Sequence, residues 1–168
     1  MVLSQNTIAQ SPEKGPIING YGPVFKIDNA AIKADVTKEY RVVFDVVNTP
    51  ESDDKISHWI ETAARFLNMH AQGGVPKENM KVALVFHSKA TKDILNDKAY
   101  QKKYGTKNPN AGLLKALIEA DVQLILCGQS AAYHKIAKED IAPNIQVSLS
   151  AMTALIHLQD DNYRLIKF

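Results

Sequence analysis

A single cysteine stands in the 168 residues of this chain, so no internal disulfide can form and cysteine usage names no redox compartment. Charge of one sign is also lacking. Twenty Lys plus Arg against eighteen Asp plus Glu leave +2, too little to mark a dedicated binder of nucleic acid or of a membrane surface. Long hydrophobic runs are missing as well: the longest, such as Val82 to Phe86 and Leu124 to Cys127, fall far short of the ~20 residues that cross a bilayer. The opening MVLSQNTIAQ has neither a basic n-region nor an apolar h-region, so as written it is no secretory signal. A soluble protein is expected, cytoplasmic or, if this start is a processed one, periplasmic. No two histidines share metal-ligand spacing within one helical segment, and neither a metal nor another cofactor is expected.

What is present has a clear order. A chain of this length is the size of one domain and buries roughly 70% of its unfolded surface on folding. Tyr40 to Val47, Lys81 to His87 and Val122 to Cys127 are Val-, Ile- and Leu-rich and nearly continuous in hydrophobicity, the pattern of parallel strands covered on both faces. Between them, Ile56, Trp59, Ile60, Ala63, Phe66, Leu67 and His70 repeat at helical spacing over Asp53 to Gln72, with Gly73-Gly74 as the stop. Thr91 to Asn96 and Asp97 to Tyr104 form a shorter pair, and Leu113, Leu114, Leu117 and Ile118 a further stripe with Asn110 at the N-cap position. Helices over Gln129 to Ala137 and Ser150 to Leu158, and short strands at Ile145 to Ser148 and Tyr163 to Lys167, complete the reading. The fold class is α/β: a single three-layer domain over 39–168 with a mainly parallel five-stranded sheet flanked by helices, preceded by a flexible N-terminal arm and lead-in over 1–38.

In open α/β sheets ligands gather beyond the carboxyl ends of the strands. Those ends run here into Asn48, His87, the tetrad Cys127-Gly128-Gln129-Ser130, and Ser148. A cysteine just ahead of a helix can have its thiolate held by free backbone N–H groups, with Gly128 allowing close approach and Ser130 adding a donor. A dipole contributes only ~0.3–1 kcal/mol where a two-unit fall in pKa needs ~2.7 kcal/mol, so further donors decide between a reagent and a buried small hydrophobe. Some chemistries are excluded. A phosphatase loop needs an arginine six residues past its nucleophile, and Tyr133 stands there. The C-x-x-S spacing of single-thiol redox proteins follows an early strand, whereas this one lies late. His87 either belongs to the rim or is satisfied locally, and Lys98 to Lys107, with Tyr100 and Tyr104, reads as a solvated helix face rather than a nucleic-acid surface.

Taken in order, MKVALVFHSKA, GTKNPN, LIEADVQLILCGQS, EDIAPNIQVSLSAMTALIHLQ and NYRLIKF resemble the DsrE/DsrF-like family of small sulfur-metabolism proteins, most closely its branch with a CGQS-type motif. The resemblance covers about residues 40–168. It implies a parallel-sheet α/β fold, assembly into homotrimers or hexamers, and a cysteine at the end of the third strand that accepts sulfur as a persulfide, a position Cys127 matches. Gly128-Gln129-Ser130 departs from the more alanine-rich helix start of the sulfur-relay members. The function implied is a sulfurtransferase-like carrier that holds sulfur on Cys127 and exchanges it with donor and acceptor proteins, without nucleic acid or membrane. The alternative is an oligomeric module that holds a small ligand with Asn48, His87, Gln129 and Ser148 while Cys127 merely lines the pocket.

Overall fold

The computed structural model describes residues 11–167. Five strands, β1 (Tyr40–Val46), β2 (Met80–Phe86), β3 (Gln123–Cys127), β4 (Gln146–Ser148) and β5 (Arg164–Ile166), form one sheet in the order β4-β3-β2-β1-β5. Every neighbouring pair is parallel. The helices are α1 (His58–Gln72), α2 (Asp97–Tyr104), α3 (Ala111–Glu119), α4 (Gly128–Tyr133) and α5 (Ala151–Asp160). The α/β architecture and the five parallel strands expected from the sequence are present. No helix among the described residues is long and apolar enough to cross a membrane.

Strand alternation divides the core. Val42, Phe44 and Val46 of β1, Val82, Leu84 and Phe86 of β2, and Leu124 and Leu126 of β3 face one way, against Ile60, Ala63, Phe66 and Leu67 of α1 and Leu113, Leu114 and Leu117 of α3. Val43, Ala83, Val85, Ile125 and Cys127 face the other way. That second face is covered by α5, which contacts all five strands through Ala151, Ala154 and Leu158. Small residues at its underside let the helix lie close.

Several boundaries differ from expectation for identifiable reasons. Helix α1 starts at His58, not Asp53: Asp53 is drawn into an ion pair with Lys92 at 2.6 Å and its carbonyl accepts from the Tyr100 hydroxyl at 2.9 Å. Ser88–Ile94 is a 3₁₀ segment. Helix α4 stops at Tyr133, short of Ala137, because Lys135 takes a left-handed φ of 53°. Asn110 does precede α3, but its side chain does not cap that helix; its Oδ1 accepts from the Ser57 N–H at 2.8 Å.

Of the arm expected over 1–38, residues 1–10 lie outside the described residues. Residues 17–22 are laid against α1. The buried Asn68 accepts from the N–H groups of Ile17 and Ile18 and donates to the carbonyls of Ile18, Tyr21 and Gly22, and Ile18 and Val24 are buried. Gly22 is required there: its φ is +62° and a Cβ would stand 2.6 Å from the backbone of Ala64 and Arg65.

A polar seam runs beneath the carboxyl rim. Asn108 donates to the carbonyls of Asp93 and Leu95 and accepts from the Asn110 N–H, and the Thr49 hydroxyl donates to Asp93 Oδ1 at 2.7 Å. Burial raises the Asp93 carboxyl to about 6, with the Thr49 hydrogen bond and Lys92 offsetting only part of it. An acid whose folded pKa lies above its ordinary 3.8 is unpenalised when protonated in both states, and stability falls as pH rises through the folded value. Asp93→Asn removes the charge and keeps the acceptor for Thr49. Relative to wild type it gains on the order of 3 kcal/mol between about pH 4 and about pH 8, read from urea unfolding at both; a difference unchanged by pH would contradict the assignment.

Candidate functional site

Parallel strands place all five carboxyl ends on one rim, and the thiol lies there on the α5 face. Cys127 ends β3, only 5% exposed, with Ser148 of β4 as its register partner on one side. On the other side Val85 pairs with Ile125 and Phe86 with Leu126, so His87 stands one step further, level with Cys127.

Two helices begin at the sulfur. Cys127 is the N-cap of α4, and its Sγ accepts from the Ser130 N–H at 3.4 Å. Helix α5 brings the N–H of its first residue, Ala151, to the same atom. Burial is the largest single influence on the thiol and opposes ionisation. The Ser130 hydroxyl and the N–H groups of Ser130, Ala151 and Gln129 together outweigh it, and the thiol is held below its ordinary value. Chemically this is a pocket of donors for a negative charge on sulfur.

Gly128 lets the two helix starts converge. A Cβ on it would meet the Ser148 carbonyl oxygen at 2.6 Å and that of Leu149 at 3.3 Å. Ser148 donates to the Ser150 carbonyl at 2.8 Å, so its hydroxyl braces the turn into α5 rather than standing free for a ligand. Ser130 Oγ also accepts from the Ser88 N–H at 3.1 Å, tying the thiol loop to the loop after β2. Gln129 is exposed and reaches the Leu149 carbonyl at 3.3 Å. Asn48 lies exposed past the end of β1 and does not join the cluster around the sulfur.

His87 is neither free nor satisfied by backbone. Its Nε2 lies 2.7 Å from Asp45 Oδ1, and Lys167 Nζ is 2.9 Å from Asp45 Oδ2. No hydrogen bond joins the imidazole to Sγ, so a cysteine-protease pairing is not formed. Asp45 and Lys167 escaped the reading of the sequence. The available signal was an acid inside an apolar strand, in VVFDVV: a carboxylate only 7% exposed needs partners. Among the described residues no group of three or more His, Cys, Asp or Glu is arranged to hold a metal ion.

A cleft of about 510 Å³ lies away from this rim, where β1 and β5 begin. Its Arg41 is already engaged by Glu39 and the Asp161 carbonyl, so size alone does not make it the site. The thiol, in contrast, adjoins exposed apolar side chains, Leu149 and Met152, both 73% exposed.

Comparison with known proteins agrees with the architecture. Residues 41–168 match the family model of the DsrE/DsrF-like family. Among solved structures, MTH1491 from Methanobacterium thermoautotrophicum, described as a protein of unknown function, superposes with a TM-score of 0.59 at 16% identity, covering 77% of this chain and 100% of its own. The ychN protein from E. coli gives a TM-score of 0.57 at 15% identity, covering 77% of this chain and 99% of its own. At such identities these two establish the fold alone. No curated protein matches the chain.

The donor set around Sγ makes a direct demand on reactivity. Ser130→Ala removes the hydroxyl and keeps the N–H, so alkylation of Cys127 near neutral pH slows by roughly tenfold or more, the worth of one charge-assisted hydrogen bond. Iodoacetamide kinetics across pH read this out, and an unchanged profile would show that the hydroxyl does not serve the thiolate.

Proposed function

This chain belongs to the DsrE/DsrF-like family, a family associated with sulfur relay, and on that premise we propose that it carries sulfur as a persulfide on Cys127. The observation that carries the reading is the thiol itself, held below its ordinary pKa by donors from the starts of α4 and α5. The Cys127 thiolate attacks the outer sulfur of a donor persulfide, R–S–SH. A new S–S bond forms on Cys127, the donor's S–S bond breaks, and the donor leaves as its thiolate, R–S⁻. In the second half an acceptor thiolate attacks the outer sulfur of Cys127–S–SH and regenerates the Cys127 thiolate. No net oxidant is consumed, and Cys127 alternates between thiolate and persulfide. The N–H groups of Gln129, Ser130 and Ala151 stabilise the negative charge that returns to sulfur in each half. With one cysteine in the chain, no internal thiol can expel the bound sulfur by closing a disulfide.

Intact-mass measurement after treatment with a polysulfide donor tests this. Wild type gains the mass of one sulfur atom, reversibly by thiol reductant, and passes it to a thiol acceptor; Cys127→Ser gains none. Equal adducts in both proteins, or no adduct on wild type, would sink the reading.

A protein-to-protein transfer needs a surface beside the thiol, and here it is apolar. Leu149, Met152 and Ile156 are exposed, Ile156 at 57% and the other two at 73%, with Val147 at 53%. Helix α5 is thus apolar on its outer side as well as beneath, a pattern that favours burial against another chain. We assign this face to homo-oligomer contact, as a trimer or hexamer, with donor and acceptor proteins approaching at its edge. Light scattering should find an assembled wild type and a monomeric Met152→Glu/Ile156→Glu variant; a monomeric wild type at working concentrations would refute the assignment.

A further inference from the structure

A second cavity, about 220 Å³, opens beyond the far end of α4, between the Ser88–Ile94 segment and the end of α2. Its walls combine Lys89, Lys92, Lys103 and His134 with the apolar surfaces of Leu95 and Ile136 and the ring of Tyr104. No carboxylate lines it. Lys92 is occupied: its Nζ is 2.6 Å from Asp53 Oδ1 and 5.4 Å from the Tyr104 ring centroid. Asp93 lies behind Thr49, whose hydroxyl it accepts. Lys89 and Lys103 are exposed and make no ion pair among the described residues, and His134 contacts only the edge of Tyr133, at 5.0 Å between centroids. Two uncompensated ammonium groups and a free imidazole therefore converge over a floor of aliphatic side chains and one aromatic ring.

That combination selects its ligand. Two lysines and an imidazole around a concave wall attract a dianion, while Leu95, Ile136 and the Tyr104 ring favour a flat apolar body. The volume is below the roughly 300–1,000 Å³ of sites for drug-sized ligands, which limits the body to about one ring. We propose that this cavity binds a small phosphomonoester carrying a single ring, with the phosphate toward Lys89, Lys103 and His134 and the ring toward Tyr104 and Ile136. The site is separate from the thiol. The six residues of α4 span ~9 Å at 1.5 Å per residue, with Cys127 ahead of the first and His134 after the last, so the inference stands or falls independently of sulfur carriage. One link joins the two sites: Lys89 follows Ser88, which sits at a left-handed φ of 55° and donates to Ser130 Oγ.

Phenyl phosphate is the probe, titrated into the full chain and followed by amide chemical shifts. Saturable binding is expected, with the largest shifts at Lys89, Tyr104 and His134, unchanged in Cys127→Ser and weakened roughly tenfold or more in Lys89→Glu/Lys103→Glu. Both lysines are exposed, so the variant keeps the fold, which thermal unfolding verifies. Inorganic phosphate should bind more weakly and phenol should not saturate. Failure to saturate, binding undiminished in the double variant, shifts centred elsewhere, or inorganic phosphate binding as tightly as the ester would each overturn the proposal.

Discussion

The contact on which the rest depends is the approach of Gly128 to the Ser148 carbonyl, where a side chain on Gly128 would have its Cβ 2.6 Å from that oxygen. It lets β4 pair with β3 up to the pair Cys127 and Ser148, so the turn through Leu149 and Ser150 starts beside the sulfur. Helix α5 therefore begins at the thiol, although 22 residues lie between Cys127 and Ser150 in the chain. The Ser130 hydroxyl and the Ser130 and Gln129 N–H groups come from α4, and the Ala151 N–H from α5; together they outweigh the burial that opposes ionisation. The donors that tip the balance come from both helix starts.

Most of the frame could be read from residue types. Continuous Val, Ile and Leu runs identified β1, β2 and β3, because parallel strands buried on both faces have no polar side to alternate with. Gly105 closed α2 as a left-handed C-cap. What the pattern could not convey was pairing between side chains brought together by topology. Lys167 meets Asp45 only because β5 crosses the sheet to lie against β1, and nothing local to residues 163–168 announces that crossing. Asn110 has the right type and position for a cap, yet the nearby unpaired N–H of Ser57 claims its oxygen. Asn68, outside the apolar stripe of α1, is the anchor for residues 17–22. In both asparagine cases a short polar side chain serves a distant backbone, a use that periodicity does not encode.

Asp45 and His87 show how a charged pair can shape a site it does not enter. Both lie on the α5 face of the sheet, and the carboxylate holds the imidazole through Nε2 while Lys167 takes its other oxygen. A buried carboxylate so satisfied on both oxygens holds its partner in place. The imidazole is drawn toward β1 and not toward Sγ, which leaves the sulfur facing backbone donors instead of a base. Such a thiol has donors for a negative charge and no fixed partner with which to share a proton.

The two faces of the sheet carry unequal burdens. One is sealed by α1 and α3 with large side chains, and the other by a single ten-residue helix whose underside is mostly alanine. Alanine at 151 and 154 lets α5 lie close to the sheet with its first N–H beside Cys127, while helical spacing puts Met152 and Ile156 on the outer side. A chain that pressed on Met152 would press on the same helical turn that supplies the Ala151 N–H to the sulfur. The exposed Met152 side chain and one of the donors to the thiol thus belong to the same helical turn.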